Sequence, residues 1–159
     1  MQFKQPRSIQ VVIFAETPYE RRYLLLKRVD SQGGFWQSVT GSLEEGETHS
    51  SAAVREVFEE TGIECVEQEI IDLGVLNNFE IAPQWRHKYA PGTTHNEEVC
   101  FALKVEQRGV KLDSLEHQAY AWEPYDRAIA LLYWESSKRA FAATELIADD
   151  HQVREVKNR

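Results

Sequence analysis

The stretch from residue 41 to residue 63 decides the fold, and it reads GSLEEGETHSSAAVREVFEETGI. Thr48 is of the residue type favoured at helix N-caps, and Gly62 is of the type that most often follows a last helical turn. The residues between them include no Pro and no Gly. The stretch therefore predicts a helix over about residues 49–61, preceded by a loop over residues 41–47.

The last turns of this helix carry three glutamates on one face. Glu56 lies three residues before Glu59 and four before Glu60, so their carboxylates project to the same side. Like charges at this spacing destabilise a helix, and negative charge at its C-terminus opposes the helix dipole. Arg55 offsets part of this, and a solvated acidic face is the alternative reading. Because Mg²⁺ prefers carboxylate oxygens, we expect a metal site at these glutamates.

The spacing of the fixed residues matches one signature at every position. It has the form G-x5-E-x7-R-E-U-x-E-E-x-G-U, with U aliphatic, and its fixed residues are Gly41, Glu47, Arg55, Glu56, Glu59, Glu60 and Gly62. The sequence thus resembles the Nudix hydrolases. The resemblance implies an α/β/α sandwich with a mixed sheet, in which the signature forms a loop–helix–loop. It also implies Mg²⁺, with Mn²⁺ as a substitute, and cleavage of a phosphoanhydride.

The charge of the chain is strongly acidic. Its 159 residues have a net charge of −8, and six glutamates against one arginine between residues 42 and 62 supply much of it. An acidic surface argues against duplex nucleic acid or an anionic membrane as the main partner. We expect a small-molecule triphosphate as the partner, met through cations. The oligomeric state stays open.

Length and cysteine usage indicate the organisation and the compartment. The length suits one domain, which we place at residues 1–150, followed by a polar tail at residues 151–159. Cys65 and Cys100 lack metal-type spacing, which favours free thiols in a reducing compartment. The apolar stretch 8–15 is too short for a signal peptide or a membrane span and is interpreted as a strand. We therefore expect a cytoplasmic protein.

Apolar patterns predict the remaining elements. Strands are predicted at 8–15, 22–28, 63–76, 77–82, 97–105 and 116–122. In the third of these, the residues expected to be buried are Val66, Ile70, Ile71, Leu73 and Val75. A helical region with a break near Ser136-Ser137 follows Pro124. The stretch 83–96 is predicted to be a long loop of the kind that carries function.

An acidic residue outside the helix is also expected at the site. Nudix hydrolases often add one as a metal ligand or general base, and Glu116, just before a short apolar strand, is our candidate. Glu59 and Glu116 are the candidate catalytic residues, and Glu116 is also a candidate metal ligand. A solvated loop residue is the alternative for Glu116. His117 could act as a base but is more often structural at such a position.

Basic and aromatic residues are expected to contact the phosphates and the heterocycle of a substrate. Lys4, Arg28 and the run 86–88 (Arg-His-Lys) are available for phosphates. Trp36, Trp85 and Tyr89 could stack on a heterocycle, with core packing equally open as their role.

Several stretches outside the signature resemble one Nudix subgroup, the bacterial dihydroneopterin triphosphate pyrophosphatases of folate synthesis. They are residues 4–9, 35–42, 86–96 and 116–122. The resemblance implies substrate contacts at Lys4, Arg28 and Thr40, and metal ligands at Glu56, Glu60 and Glu116. The sequence departs from the subgroup at Tyr133, where a small polar residue is expected before Trp134.

Three functions compete at this point. The first is Mg²⁺-dependent cleavage of dihydroneopterin triphosphate to the monophosphate and pyrophosphate. The second is hydrolysis of a nucleoside or deoxynucleoside triphosphate such as dATP, which has similar size, charge and stacking surface. The third is a nucleotide-binding module without catalysis, which we expect to lose one or more carboxylates of the signature. All of those carboxylates are present, so an enzyme is expected.

Overall fold

The computed structural model describes residues 2–148. Its strands are β1 (Arg7–Glu16), β2 (Arg21–Arg28), β3 (Trp36–Gln37), β4 (Val39–Ser42), β5 (Ile71–Glu80), β6 (His95–Lys104) and β7 (His117–Pro124). Its helices are α1 (His49–Thr61), α2 (Tyr125–Leu131) and α3 (Glu135–Glu145), and short 3-10 turns lie at Asp30–Gln32, Glu67–Glu69 and Pro83–Lys88. The predicted polar tail at 151–159 lies outside the described residues.

The seven strands form one mixed sheet, as expected for the fold class. Its order is β3-β2-β1-β6-β5, with β7 paired to β2 and β4 paired to β1. β1 and β6 run parallel, and the other pairs are antiparallel. β4 pairs with the first half of β1 and β2 with its last residues. The sheet therefore splits on that side of β1.

Helices cover both faces of the sheet. Ile9, Val11 and Ile13 of β1 belong to a core cluster with Ala52 and Val57 of α1. The intervening positions of β1 face the other way, into a second cluster whose members from β1, α2 and α3 are Val12, Phe14, Ala128, Ala140 and Phe141. A strand buried on both faces reads as a nearly continuous apolar run, as β1 does. The α/β/α sandwich predicted from the sequence is confirmed.

The predicted boundaries of α1 are confirmed, because its caps are local. The Thr48 hydroxyl accepts a hydrogen bond from the Ser51 backbone N–H at 3.1 Å, and the Ser51 hydroxyl accepts one from the Thr48 N–H at 3.0 Å. Gly62 has φ of 76° and its N–H donates to the Phe58 carbonyl at 2.8 Å. That left-handed conformation favours glycine.

Three sequence predictions about the elements are wrong in position. The strand predicted at 63–76 begins at residue 71 and continues to residue 80, so 77–82 is no separate strand. Val66, predicted to be buried, is 55% exposed beside the turn at Glu67–Glu69. The break in the C-terminal helical region lies between α2 and α3 at residues 132–134, and Ser137 is buried within α3.

Among residues 2–148, no helix is both long and apolar enough to cross a membrane.

The N-terminal segment is held against the predicted long loop. The Lys4 backbone N–H donates to the Lys88 carbonyl at 2.8 Å, and the backbones of Lys4 and Tyr89 form an isolated parallel β-bridge. Arg86 anchors the turn itself, since its side chain binds the Glu80 carboxylate at 2.6 Å and the Ile81 carbonyl at 2.9 Å. The loop is thereby fixed, and it carries Lys4 toward α1.

Candidate active site

Arg55 joins the signature loop to the carboxylate face of α1. Its Nε and Nη2 donate to the two Glu47 carboxylate oxygens at 2.8 and 2.9 Å, and its Nη1 donates to Glu56 Oε1 at 2.8 Å. Nη2 also reaches the Ser42 carbonyl at 3.1 Å. These contacts lower the pKa of the Glu47 carboxyl. The fork of Arg55 thus fixes the loop and orients Glu56.

Gly41 lets strand β4 approach α1 closely. A methyl group at residue 41 would overlap the carboxyl group of Glu56 and lie 2.7 Å from its Cγ. The backbone of Gly41 is not in a left-handed conformation, so the requirement for glycine is one of space. The first glycine of the signature therefore makes room for one of its carboxylates.

Glu60 is a buried carboxylate whose close polar neighbours include the carboxyl of Glu56. Glu60 is 1% exposed, and within residues 2–148 neither of its carboxylate oxygens accepts a geometrically defined hydrogen bond. Burial raises the pKa of Glu60 well above its usual range, and the charges of Glu56 and Glu116 raise it further. An uncompensated buried charge costs several kcal/mol. The site therefore requires a proton or a cation at Glu60.

Glu116 and His117 lie beside Glu60. One ligand atom from each of these three residues lies within 4.8 Å of the others, and His117 Nε2 is 3.6 Å from Glu60 Oε1. Burial lowers the pKa of His117 to about 4, and the charge of Arg28 acts in the same direction. The imidazole is therefore neutral at pH 7, and its contact with Glu60 is no ion pair.

Two cations, Arg28 and Lys4, border this cluster. Arg28 Nη1 is 3.9 Å from Glu116 Oε2, and another nitrogen of the same guanidinium donates to the Gln32 side-chain oxygen. Burial lowers the pKa of Lys4, and the charge of Lys88 lowers it further. Glu56 and Glu116 are near enough to Lys4 to act in the opposite direction. Lys4 and Arg28 therefore face the same carboxylates.

Glu59 and Thr40, also predicted as site residues, lie at the margins of the cluster. The Glu59 side chain is 52% exposed, and its Oε2 accepts a hydrogen bond from Arg55 Nη1 at 3.1 Å. Thr40 lies opposite Gln10 in the β1–β4 register, while its neighbour Val39 faces α1. Strand alternation directs Thr40 to the other face of the sheet. The structure thus brings Glu56, Glu60, Glu116, Lys4 and Arg28 together and sets these two apart.

The arrangement of carboxylates suits a divalent cation. Glu60 supplies two unpartnered oxygens, Glu116 and Glu56 add carboxylates, and all are hard ligands of the kind that bind Mg²⁺ or Ca²⁺. His117 adds a neutral nitrogen at the same place. A cation here would supply the charge that Glu60 lacks. The residues present therefore fit a metal site.

Comparison with known proteins agrees with this geometry. A family model described as the NUDIX domain matches residues 4–144. The chain belongs to the Nudix hydrolase family. That Nudix domain includes every carboxylate and cation of the cluster, from Lys4 to His117.

Relatives of this Nudix hydrolase include two bacterial enzymes. The chain is 45% identical to the dihydroneopterin triphosphate diphosphatase of Escherichia coli K12 over 142 residues, which cover 87% of this chain and 91% of that enzyme. It is 36% identical to the Haemophilus influenzae enzyme of the same name, over 88% and 87% of the two chains. The solved structure of the E. coli dihydroneopterin triphosphate pyrophosphohydrolase matches with a TM-score of 0.76 and 43% identity, covering 89% of this chain and 95% of that one.

Sequence reasoning gave too little weight to one residue of the site. His117 is buried, touches Glu60, and has its Nε2 3.3 Å from the Gln37 side-chain nitrogen. The signal in the sequence was its place directly after Glu116 at the start of a strand, but nothing local shows that β7 pairs with β2 and faces α1. Trp36, an expected stacking residue, instead packs against the core cluster beneath α2 and α3.

Proposed function

We propose that this protein hydrolyses a phosphoanhydride of dihydroneopterin triphosphate, with Mg²⁺ as cofactor, and releases the monophosphate and pyrophosphate as a step of folate synthesis. The observation that carries the chemistry is Glu60, a buried carboxylate with no donor at either oxygen among residues 2–148. The identity of 45% with an enzyme named for this substrate, over most of both chains, supports the choice of substrate.

The carboxylate cluster gives the metal its place. Glu56, Glu60 and Glu116 would hold Mg²⁺, with Glu59 as a further ligand on the same helix. When bound there, Mg²⁺ or Mn²⁺ would supply positive charge to the phosphates and would favour deprotonation of water. Arg55 keeps Glu56 oriented by its bond to Oε1. Glu60 is 1% exposed, and burial strengthens the charge interactions of its carboxylate.

Cations and a hydroxyl bind the substrate in this proposal. Arg28 carries a guanidinium that can bind phosphate oxygens bidentately, and Lys4 is held beside it by the backbone bond to Lys88. Thr40 contacts the substrate from the opposite face of β4. Glu59 and Glu116 are the candidates to accept the proton of the attacking water, since each carboxylate keeps solvent access.

Cellular context and organisation follow from the same proposal. The partner is a small-molecule triphosphate, and neither nucleic acid nor a membrane is a partner. We place the protein in the cytoplasm and assign residues 1–150 to one catalytic domain.

A substrate panel with metal control tests the proposal. Pyrophosphate release is measured for dihydroneopterin triphosphate, dATP and GTP, with EDTA and then with excess Mg²⁺. We expect no turnover in EDTA, recovery with Mg²⁺, and a kcat/KM for the pterin at least about tenfold above either nucleotide. A better nucleotide would make the protein a nucleoside triphosphate pyrophosphatase instead, and full activity in EDTA would remove the metal from the proposal.

Matched variants assign the residues. Glu60→Gln should abolish Mn²⁺ binding in a calorimetric titration, which reports on the site independently of turnover. Glu64→Gln removes the same charge from an exposed position just beyond α1 and should bind Mn²⁺ like the wild type. Arg28→Ala should raise KM for all three triphosphates alike, because the phosphates are what they share.

A further inference from the structure

A patch of polar side chains lies on the sheet face opposite α1, near the split beside β1. We call it the polar face, and its members are Ser8, Gln10, Ser38, Thr40, Asn77, Asn96 and Glu98. The strand registers pair Gln10 with Thr40 on one side, and Glu98 with Ser8 and Asn77 on the other. Farther along β1 and β6, the same face is covered by α2 and α3. Polar residues in that position need a reason beyond the core.

Glu98 is the charged group of the polar face, and its two oxygens differ. Glu98 is 6% exposed, and Oε1 accepts hydrogen bonds from Gln10 Nε2 and Asn77 Nδ2, each at 3.0 Å. The hydrogen bonds that Glu98 accepts from residues 2–148, including a weak one from the Cys100 thiol at 3.8 Å, all go to Oε1. Oε1 is thus held in place by the protein, while Oε2 accepts none of these bonds.

The amides that hold Glu98 are themselves held. Gln10 Oε1 accepts a hydrogen bond from the Ser38 hydroxyl at 2.6 Å. Asn77 Oδ1 accepts two from the Arg139 guanidinium of α3, at 2.8 and 3.2 Å. Each amide therefore has a fixed orientation, with its N–H toward Glu98. The carboxylate is preorganised, which a mobile surface glutamate is not.

A second acceptor on the same strand lacks a donor. Asn96 is 3% exposed, and its Nδ2 donates to the Ser8 hydroxyl at 2.7 Å. Its Oδ1 is buried with no partner among residues 2–148. A buried acceptor left unpaired costs about 1–3 kcal/mol. Because Asn96 and Glu98 are two residues apart in β6, their side chains share one face about 7 Å apart at the backbone.

Aromatic side chains border the polar face. Phe79 lies opposite Asn96 in the β5–β6 register and is 41% exposed. Trp134 is the N-cap of α3, the helix whose Arg139 binds Asn77, and it packs edge-on to both Phe35 and Tyr133, with ring centroids 5.3 and 4.7 Å apart. An exposed aromatic ring such as that of Phe79 beside fixed polar acceptors suits the binding of a heteroaromatic ring.

We propose that Glu98, assisted by Asn96, binds the hydrogen-bond-donating edge of the substrate's pterin, which makes Glu98 a specificity-determining residue. This inference rests on the proposed function. The 2-amino-4-oxopyrimidine edge of a pterin carries an amino group beside a ring N–H, so it brings donors to a place where the protein offers open acceptors. A ring that presented an acceptor there would meet the carboxylate unfavourably.

The first test separates the ring from the phosphates. Inorganic tripolyphosphate shares the phosphates but has no ring, and its inhibition constant is measured against hydrolysis of dihydroneopterin triphosphate. Glu98→Gln should raise KM for the pterin at least about tenfold and leave the inhibition constant within about twofold. Glu97→Gln is the matched control, since Glu97 is the exposed neighbour on the same strand, and it should change neither quantity. Parallel changes in both quantities, or no change in either, would overturn the inference.

The second test changes the ligand and needs no variant. A substrate analogue with two methyl groups on the 2-amino nitrogen has lost both donors of that group. Wild-type kcat/KM for this analogue should fall at least about tenfold below that for the parent, and equal values would sink the inference. If both tests fail while the wild type still hydrolyses dihydroneopterin triphosphate, only the assignment of Glu98 is refuted. No hydrolysis of any triphosphate refutes the proposed function, and the inference falls with it.

Discussion

Replacing Glu60 with Gln should stabilise the metal-free protein while it removes activity. Glu60 is 1% exposed, and no donor among residues 2–148 pairs with its carboxylate. Gln keeps the size of the side chain and removes the charge. Relief of an unpaired buried group is worth about 1–3 kcal/mol, which corresponds to roughly 2–12 °C in melting temperature for a chain of this length.

The assay is differential scanning calorimetry at pH 8, first in EDTA and then in excess Mg²⁺. In EDTA the Glu60→Gln variant should melt above the wild type. With Mg²⁺ the order should reverse, because a ligand at about 1,000 times its Kd stabilises the wild type by about 4.1 kcal/mol and the variant would bind it poorly. The kcat of the variant should fall by roughly 10² or more.

The control is Glu64→Gln, which alters net charge equally at an exposed position. It should shift the melting temperature by less than about 1 °C in either buffer, in line with ordinary surface substitutions. A Glu60→Gln protein that melts lower than the wild type in EDTA would refute the reasoning. The ionised carboxylate of Glu60 would then be stabilised by its surroundings in the metal-free protein, and it would not require a bound cation.

Three further outcomes are expected. Gly41→Ala should lower kcat/KM by roughly 10² with little loss of folded structure by circular dichroism, because the new methyl group displaces the Glu56 carboxylate. Arg55→Lys should lower the unfolding free energy in urea by about 1–3 kcal/mol, because an ammonium cannot replace the fork that binds Glu47 at two oxygens. Burial raises the pKa of Glu98 above 4.5, so the folded state binds the Glu98 proton more tightly than the unfolded chain does. The unfolding free energy of the wild type relative to Glu98→Gln should therefore fall as pH rises above 4.5. Urea titrations at several pH values would check this.

The parts of the fold that the sequence predicts are those with local causes. Helix α1 begins and ends where predicted because Thr48 and Gly62 make their capping bonds within a few residues. β1 and β2 are correct because each is an apolar run ended by a turn at Thr17, whose hydroxyl accepts hydrogen bonds from the Tyr19 and Glu20 N–H groups. No distant contact is needed to read either feature.

The error at β5 has a tertiary cause. The apolar residues from 63 to 70 look like a strand, but Ile63 is buried under α1 while Val66 points to solvent beside a 3-10 turn. Pairing with β6 starts only at Ile71 and shifts between Asp72 and Val75, where Gly74 has φ of 69°. The alternation of apolar residues cannot show where a partner strand is available. The start of β5 was therefore predicted eight residues too early.

The carboxylate cluster divides in the same way. Glu56, Glu59 and Glu60 were predicted as one face, but the structure separates them by burial, because Arg55 draws Glu59 outward while α1 packs Glu60 against β7. His117 meets Glu60 across 57 positions of sequence, through the pairing of β7 with β2. Spacing along a helix shows which residues share a face, and only tertiary packing shows which of those side chains is buried.

Thr40 and Gly41 indicate how one substrate could reach both halves of this site. They are adjacent in β4, so they face opposite sides of the sheet: Gly41 lies under Glu56, and Thr40 is paired with Gln10 of the polar face. β4 pairs with residues 8–11 of β1, and β2 pairs with residues 14–16, which leaves the sheet split beside the carboxylates. A triphosphate at the carboxylates and a ring against Glu98 would be joined through that split. In that arrangement Thr40, which is adjacent to Gly41 and paired with Gln10, would contact the atoms that link the ring to the phosphates.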